Sequence, residues 1–204
     1  MHNSPLFVTG IGTGIGKTLT SAILVEKLQA DYWKPVQAGE LDDSDTMKVQ
    51  QLVSNSRSVF HPEAYRLTQP YSPHKAAALD GIMIDENTII LPHTDNQLLI
   101  EGAGGLMVPL NDHCLMIDLI AQLNAEVILV SQNYLGSINH TLLSIEALQQ
   151  RNIPIKGIIF NGEANASTEE FILNYTGIAL LGRVPQLHTI DKSSIKQGGA
   201  DLYL

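Results

Sequence analysis

Leu6-Phe7-Val8-Thr9-Gly10-Ile11-Gly12-Thr13-Gly14-Ile15-Gly16-Lys17-Thr18 is the stretch whose reading decides the fold. A short apolar run enters a glycine-rich turn, and Gly-Lys-Thr opens a helical pattern over residues 18–28. Glycines let backbone N–H groups converge on phosphate oxygens with no side chain in the way. The following helix aims its N-terminal dipole at the same anion. In such a loop Lys17 reaches the β- and γ-phosphates and the Thr18 hydroxyl suits Mg²⁺. The common spacing puts a glycine five positions before Gly16, where this chain has Ile11, and Gly10 stands six before. The motif specifies a nucleotide and leaves the reaction open.

Outward from the loop, short apolar runs alternate with helical patterns. Residues 32–36, 97–100, 126–130, 155–160 and 178–181 show little period-2 alternation, as expected of strands buried on both faces. Met116, Leu119, Ile120 and Leu123 fall at helical spacing, as do Ile138, Leu142, Ile145 and Leu148. The expected fold is α/β: a P-loop NTPase-like parallel sheet with helices on both faces, one domain over residues 1–204. Residues 55–96 are the least regular part, punctuated by His61-Pro62, Gln69-Pro70, Ser72-Pro73 and Leu91-Pro92.

Composition narrows the function classes. Twelve Lys plus Arg against 21 Asp plus Glu give a formal charge of −9 over 204 residues. That balance argues against nucleic-acid and anionic-membrane partners, which require a basic face. The single cysteine, Cys114, excludes an internal disulfide framework. No apolar run approaches the ~20 residues of a membrane span. Residues 1–5 lack the pattern of a secretory signal. The expectation is an acidic cytoplasmic protein.

Three features accompany the loop. Glu101 ends the apolar run 97–100 and is followed by Gly102-Ala103-Gly104-Gly105, where backbone can approach a ligand closely. Asp42, Asp43 and Asp45 precede a helical stretch over 46–52. They suit helix capping as well as metal binding, and spacing does not choose among them. Lys34 lies inside the second apolar strand, where a lysine is costly unless paired or aimed at a ligand. Strand carboxyl ends line the ligand crevice of a doubly wound sheet, so Lys34 is a candidate for contact with a transferring phosphate or an anionic substrate.

Taken together, the chain resembles the dethiobiotin synthetases, ATP-dependent enzymes that close the ureido ring in the penultimate step of biotin synthesis. The resemblance rests on residues 7–18 and on Lys34-Pro35-Val36-Gln37-Ala38-Gly39, Ser72-Pro73-His74, Glu101-Gly102-Ala103-Gly104-Gly105 and Leu135-Gly136-Ser137-Ile138-Asn139-His140. Asp43-Ser44-Asp45, Phe160-Asn161 and Gly182-Arg183-Val184-Pro185 follow in family order. The resemblance implies 7,8-diaminononanoate, CO₂ and ATP as substrates, Mg²⁺ as cofactor, and a homodimer with sites at the interface. It implies catalytic roles for Lys34 and Lys17, and Thr18, Asp45 and Glu101 around the metal. Nucleotide contacts would come from Gly14, Ile15, Gly16, Lys17, Thr18, Leu19, Asp45, Glu101, Gly102, Ala103 and Gly104. Asn161, Gly162, Pro185, Gln186 and Leu187 would meet the adenine end. Substrate contacts would come from Thr13, Lys34 and Ala38, with Gly136, Ser137, Ile138 and Asn139 supplied by the other subunit. Two positions depart from the family pattern: Gly12 stands where many members carry a loop aspartate, and Ala38 replaces a hydroxyl residue.

Two other classes share parts of this pattern. Partitioning-type regulatory ATPases usually place a second lysine inside the loop, whereas here the extra lysine follows the second strand. Larger amidoligases commonly add a glutaminase domain, for which 204 residues leave no room.

Overall fold

The computed structural model describes residues 4–204. The absence of a secretory pattern was read partly on residues 1–3, which lie outside the described residues. The chain runs β1 (Leu6–Gly10), α1 (Lys17–Leu28), β2 (Asp31–Trp33), β3 (Val36–Ala38) and α2 (Asp45–Leu52). It continues through β4 (Phe60–His61), β5 (Tyr65–Leu67), α3 (Pro73–Leu79), β6 (Leu98–Gly105), α4 (Met116–Gln122) and β7 (Glu126–Gln132). The last elements are α5 (Ser137–Gln150), β8 (Ile155–Asn161), α6 (Ala166–Thr176), β9 (Leu180–Val184) and α7 (Lys192–Gly198).

Seven strands form one parallel sheet in the order β4-β2-β6-β1-β7-β8-β9. Side chains of successive strand residues point to opposite faces, and this divides the core in two. Leu6, Val8, Leu99, Ile128 and Val130 pack with α1, α2 and α7 on one face. Phe7, Ile100, Val127 and Leu129 pack with α3, α4, α5 and α6 on the other. Both faces are apolar, as the lack of alternation requires, and the expected helix–sheet–helix arrangement is present. Among the described residues no helix is long and apolar enough to cross a membrane.

Four expectations need correction. Residues 32–36 are not one strand. Pro35 has no N–H to donate and disfavours helical backbone before it, so β2 stops at Trp33. The chain then leaves the main sheet, and β3 pairs with β5 in a separate two-stranded sheet. Second, Glu101 does not end its strand. It lies opposite Val8 within β6, which continues to Gly105 beside the phosphate loop. Third, the last strand begins at Leu180 rather than 178, because Gly177 in a left-handed conformation (φ 67°) closes α6 just before it. Fourth, the irregular middle, where loops and short helices were expected, holds the short helix α3 but also two strands, β4 and β5, too short for their periodicity to register.

Candidate active site

β1 and β6 are adjacent parallel strands, so the loop after β1 and the glycine run ending β6 meet at their carboxyl ends. They border a cavity of about 820 Å³ with Thr13, Gly14, Gly16, Lys17, Thr18, Lys34, Ala38, Asp45, Glu101, Gly102, Ala103 and Gly104 on its walls. Twelve of the expected site residues therefore face one space. Ile15 does not. Its side chain is buried in the core on the α1 face, and its carbonyl accepts a hydrogen bond from Asn161 Nδ2 at 2.9 Å. Gly16 adopts φ 88°, and Lys17 Nζ donates to the Gly12 carbonyl at 2.9 Å. The lysine is thus folded along the loop it serves.

The charged centre draws on α1, the break after β2, α2 and β6. Lys34, at the break after β2, is 4% exposed. Its Nζ lies 2.9 Å from Asp45 Oδ2 and 3.3 Å from Glu101 Oε1. Thr18 Oγ1 donates to Glu101 Oε1 at 2.8 Å, and the Tyr32 hydroxyl donates to Glu101 Oε2 at 3.0 Å. Asp45 is the acid brought in from its group of three. Ser44 caps α2 and Gln37 Oε1 accepts from the Asp45 N–H at 3.2 Å, fixing the carboxylate over the cavity. Asp43 instead lies 3.8 Å from Lys48 on the outer side. Tyr32 carries no signature in the sequence, and Gln37, though inside the Lys34–Gly39 block that carries the family resemblance, is given no role there. Tyr32 reads as an ordinary strand aromatic, and only the Lys34-Pro35 break that follows hints that this strand end is special.

Burial alone would depress the Lys34 pKa, but Glu101 and Asp45 outweigh it and the net shift is upward, so Lys34 is a permanent cation. Burial raises the Asp45 carboxyl, yet Lys34 more than offsets this and holds it below the ordinary range. Lys17 moves the other way. Burial pulls it down to about 8, assisted by Lys34 and opposed by Glu101 and Asp45. The protonated form is the one that binds phosphate, so nucleotide affinity is expected to fall as pH rises through about 8. An arriving polyanion raises the pKa again, so binding above that pH takes up a proton. Calorimetric heats at pH 8.5 should then vary with the buffer's ionisation enthalpy, and heats independent of buffer would refute the assignment.

Thr18, Asp45 and Glu101 supply only hard oxygen donors. Among the described residues no three His, Cys, Asp or Glu side chains form a metal cage. Oxygen donors of the kind Thr18, Asp45 and Glu101 offer suit Mg²⁺, which takes one or two carboxylates and completes its shell with water and phosphate. A second cavity, about 400 Å³, is lined by Leu19, Asn161, Gly162, Pro185, Gln186 and Leu187. The expected base-contacting residues are therefore gathered in one place. Gly136, Ile138 and Asn139 line a third cavity of about 830 Å³ at the start of α5, sharing no wall residue with the first, while Ser137 is buried behind them.

A glycine loop between β1 and α1, an acidic strand beside it and a parallel sheet define a phosphate-loop nucleotide-binding α/β protein. The cell division ATPase MinD of Pyrococcus furiosus shares this fold, with a TM-score of 0.60 at 12% identity over 96% of this chain and 89% of that one. A ParA family ATPase from Chlorobium tepidum is similar, with a TM-score of 0.59 at 13% identity over 97% of this chain and 91% of that one. Residues 4–194 match the family described as AAA_26, AAA domain. The ATP-dependent dethiobiotin synthetase BioD of Christiangramia forsetii is 52% identical over 94% of this chain and 92% of its own length. That of Cytophaga hutchinsonii is 51% identical over 97% and 96%. The chain belongs to the ATP-dependent dethiobiotin synthetase family.

Proposed function

We propose that this chain converts 7,8-diaminononanoate, CO₂ and ATP into dethiobiotin, ADP and phosphate, acting in the cytoplasm as a homodimer with Mg²⁺. One amine adds to CO₂ and loses a proton to give a carbamate. A carbamate oxygen attacks the γ-phosphorus, and ADP leaves. The second amine attacks the carbonyl carbon of the mixed anhydride and loses a proton, and phosphate leaves as the ring closes.

The observation that carries this reading is the buried Lys34 ammonium on the wall of the phosphate-loop cavity. Partitioning-type regulatory ATPases usually carry their second lysine inside the loop, whereas here the extra cation follows the second strand. A ligase needs one where carbamate and phosphoryl oxygens gather charge. Lys17 and the loop N–H groups hold the triphosphate. When Mg²⁺ is bound, with Thr18, Asp45 and Glu101 as its protein ligands, it neutralises phosphate charge. Thr13 and Ala38 border the substrate chain, and Asn161, Gly162, Pro185, Gln186 and Leu187 border the base.

The start of α5 supports the dimer. Its Gly136, Ile138 and Asn139 lie outside the loop cavity of their own copy, beside the fully exposed Leu135. Free N–H groups at the start of this 14-residue helix suit the substrate carboxylate of a partner copy. The test is a product assay. Purified protein with the diamine, bicarbonate and MgATP should form dethiobiotin and release one phosphate per ring. ATP turnover indifferent to the diamine would overturn the proposal and favour a regulatory ATPase.

A further inference from the structure

Glu101 is 1% exposed and stands at the centre of the charged cluster, yet its two oxygens have different surroundings. Oε1 accepts from Thr18 Oγ1 at 2.8 Å and faces Lys34 Nζ at 3.3 Å. Both donors belong to groups that the proposed reaction draws elsewhere, Thr18 to the metal and Lys34 to the carbamate and γ-phosphate. Oε2 accepts from the Tyr32 hydroxyl at 3.0 Å, inside the sheet. Tyr32 has no exposed surface, and its ring lies against Phe60 on the neighbouring strand, with centroids 6.1 Å apart. It has no freedom to follow a ligand.

We propose that Tyr32 is a positioning residue for the metal site, its hydroxyl pinning Glu101 Oε2 so that Oε1 stays aimed into the cavity when Thr18 and Lys34 exchange partners. This rests on the reading of Thr18, Asp45 and Glu101 as the protein ligands of the nucleotide-bound cation. Without the hydroxyl, Glu101 would have no fixed donor during turnover. The carboxylate would then rotate toward whichever cation remained, and the metal would lose a preoriented ligand. Partners of this kind, one shell out from the metal, typically change affinity by about 10- to 100-fold when removed.

The test is Mn²⁺ binding to the protein–ADP complex, followed by the electron paramagnetic resonance of the free ion, in the parent, Tyr32→Phe and Phe60→Leu. Tyr32→Phe keeps the ring and its packing and deletes one oxygen. The expected result is a roughly 10-fold weaker Mn²⁺ Kd in Tyr32→Phe. Phe60→Leu disturbs the same ring without touching the hydroxyl, and should leave the Mn²⁺ Kd at the parental value even if its melting temperature falls. In turnover, Tyr32→Phe should need more Mg²⁺ for half-maximal rate while keeping most of its kcat at saturating metal. A parental Mn²⁺ Kd in Tyr32→Phe overturns the inference. So does an equal weakening in Phe60→Leu, which would mark a packing effect. A parent that binds no Mn²⁺ with ADP overturns the metal-site reading itself, and this proposal with it.

Discussion

Lys34→Ala is expected to lower the rate of dethiobiotin formation roughly 10³-fold, the scale seen when a preorganised charge is removed from a transition state. ATP affinity should change little, because the proposed triphosphate contacts are Lys17 and the loop N–H groups. Lys34 also has a structural duty, since it separates Asp45 from the nearly inaccessible Glu101. Removing one partner of a buried ion pair costs about 3 kcal/mol. Part of that is offset here, since Thr18 and Tyr32 still donate to Glu101 and Asp45 is partly exposed. The variant should therefore melt at a lower temperature and regain stability with MgADP. Calorimetry with ATP, a melting curve and the product assay separate the three effects. Normal turnover by Lys34→Ala would remove the basis of the assigned chemistry.

Gly16→Ala is expected to weaken ATP binding roughly 100-fold, as the sum of two costs of comparable size. The backbone there has φ 88°, where an L side chain costs about 1–2 kcal/mol. A Cβ would also lie 2.1 Å from Asn161 Nδ2, the group that holds the Ile15 carbonyl. Asn161 would have to move, and the loop would lose its tie to β8. Gly14 provides the control. Its φ of 76° carries the same strain, but a Cβ there meets nothing within 4 Å. Gly14→Ala should therefore show a clearly smaller loss. Equal losses in a calorimetric comparison would mean that the Asn161 contact has no energetic weight.

Much of this site was legible because its residues violate ordinary sequence statistics. A lysine between tryptophan and proline in an apolar run, and a glutamate between isoleucine and a glycine run, are costly unless something compensates. The structure shows what compensates: each is the other's counter-ion. Other groups had no such signature. By spacing Asp42, Asp43 and Asp45 look alike, and Asp45 is singled out only by the family resemblance; in the fold Gln37 and Ser44 fix the start of α2 at that residue. Tyr32 looks like any strand aromatic until its hydroxyl meets a carboxylate that is remote in sequence. The break of the second strand was written in Pro35. Where the chain goes afterwards depends on pairing with Tyr65–Leu67, a three-residue strand with no signal of its own. Local chemistry was readable, and the long-range partner of each group was not.

The charged centre has one more property. Lys17 and Lys34 against Asp45 and Glu101 sum to zero at neutral pH, inside a protein whose formal charge is −9. Seen from beyond a Debye length of about 10 Å, such a quartet has almost no monopole and cannot draw an anion in from solution. On the proposed assignment of the loop, capture begins at short range, with loop N–H groups meeting phosphate oxygens as Lys17 leaves the Gly12 carbonyl. The encounter is consequently not an electrostatically steered one, and it discriminates among anions by shape and hydrogen-bond geometry rather than by total charge.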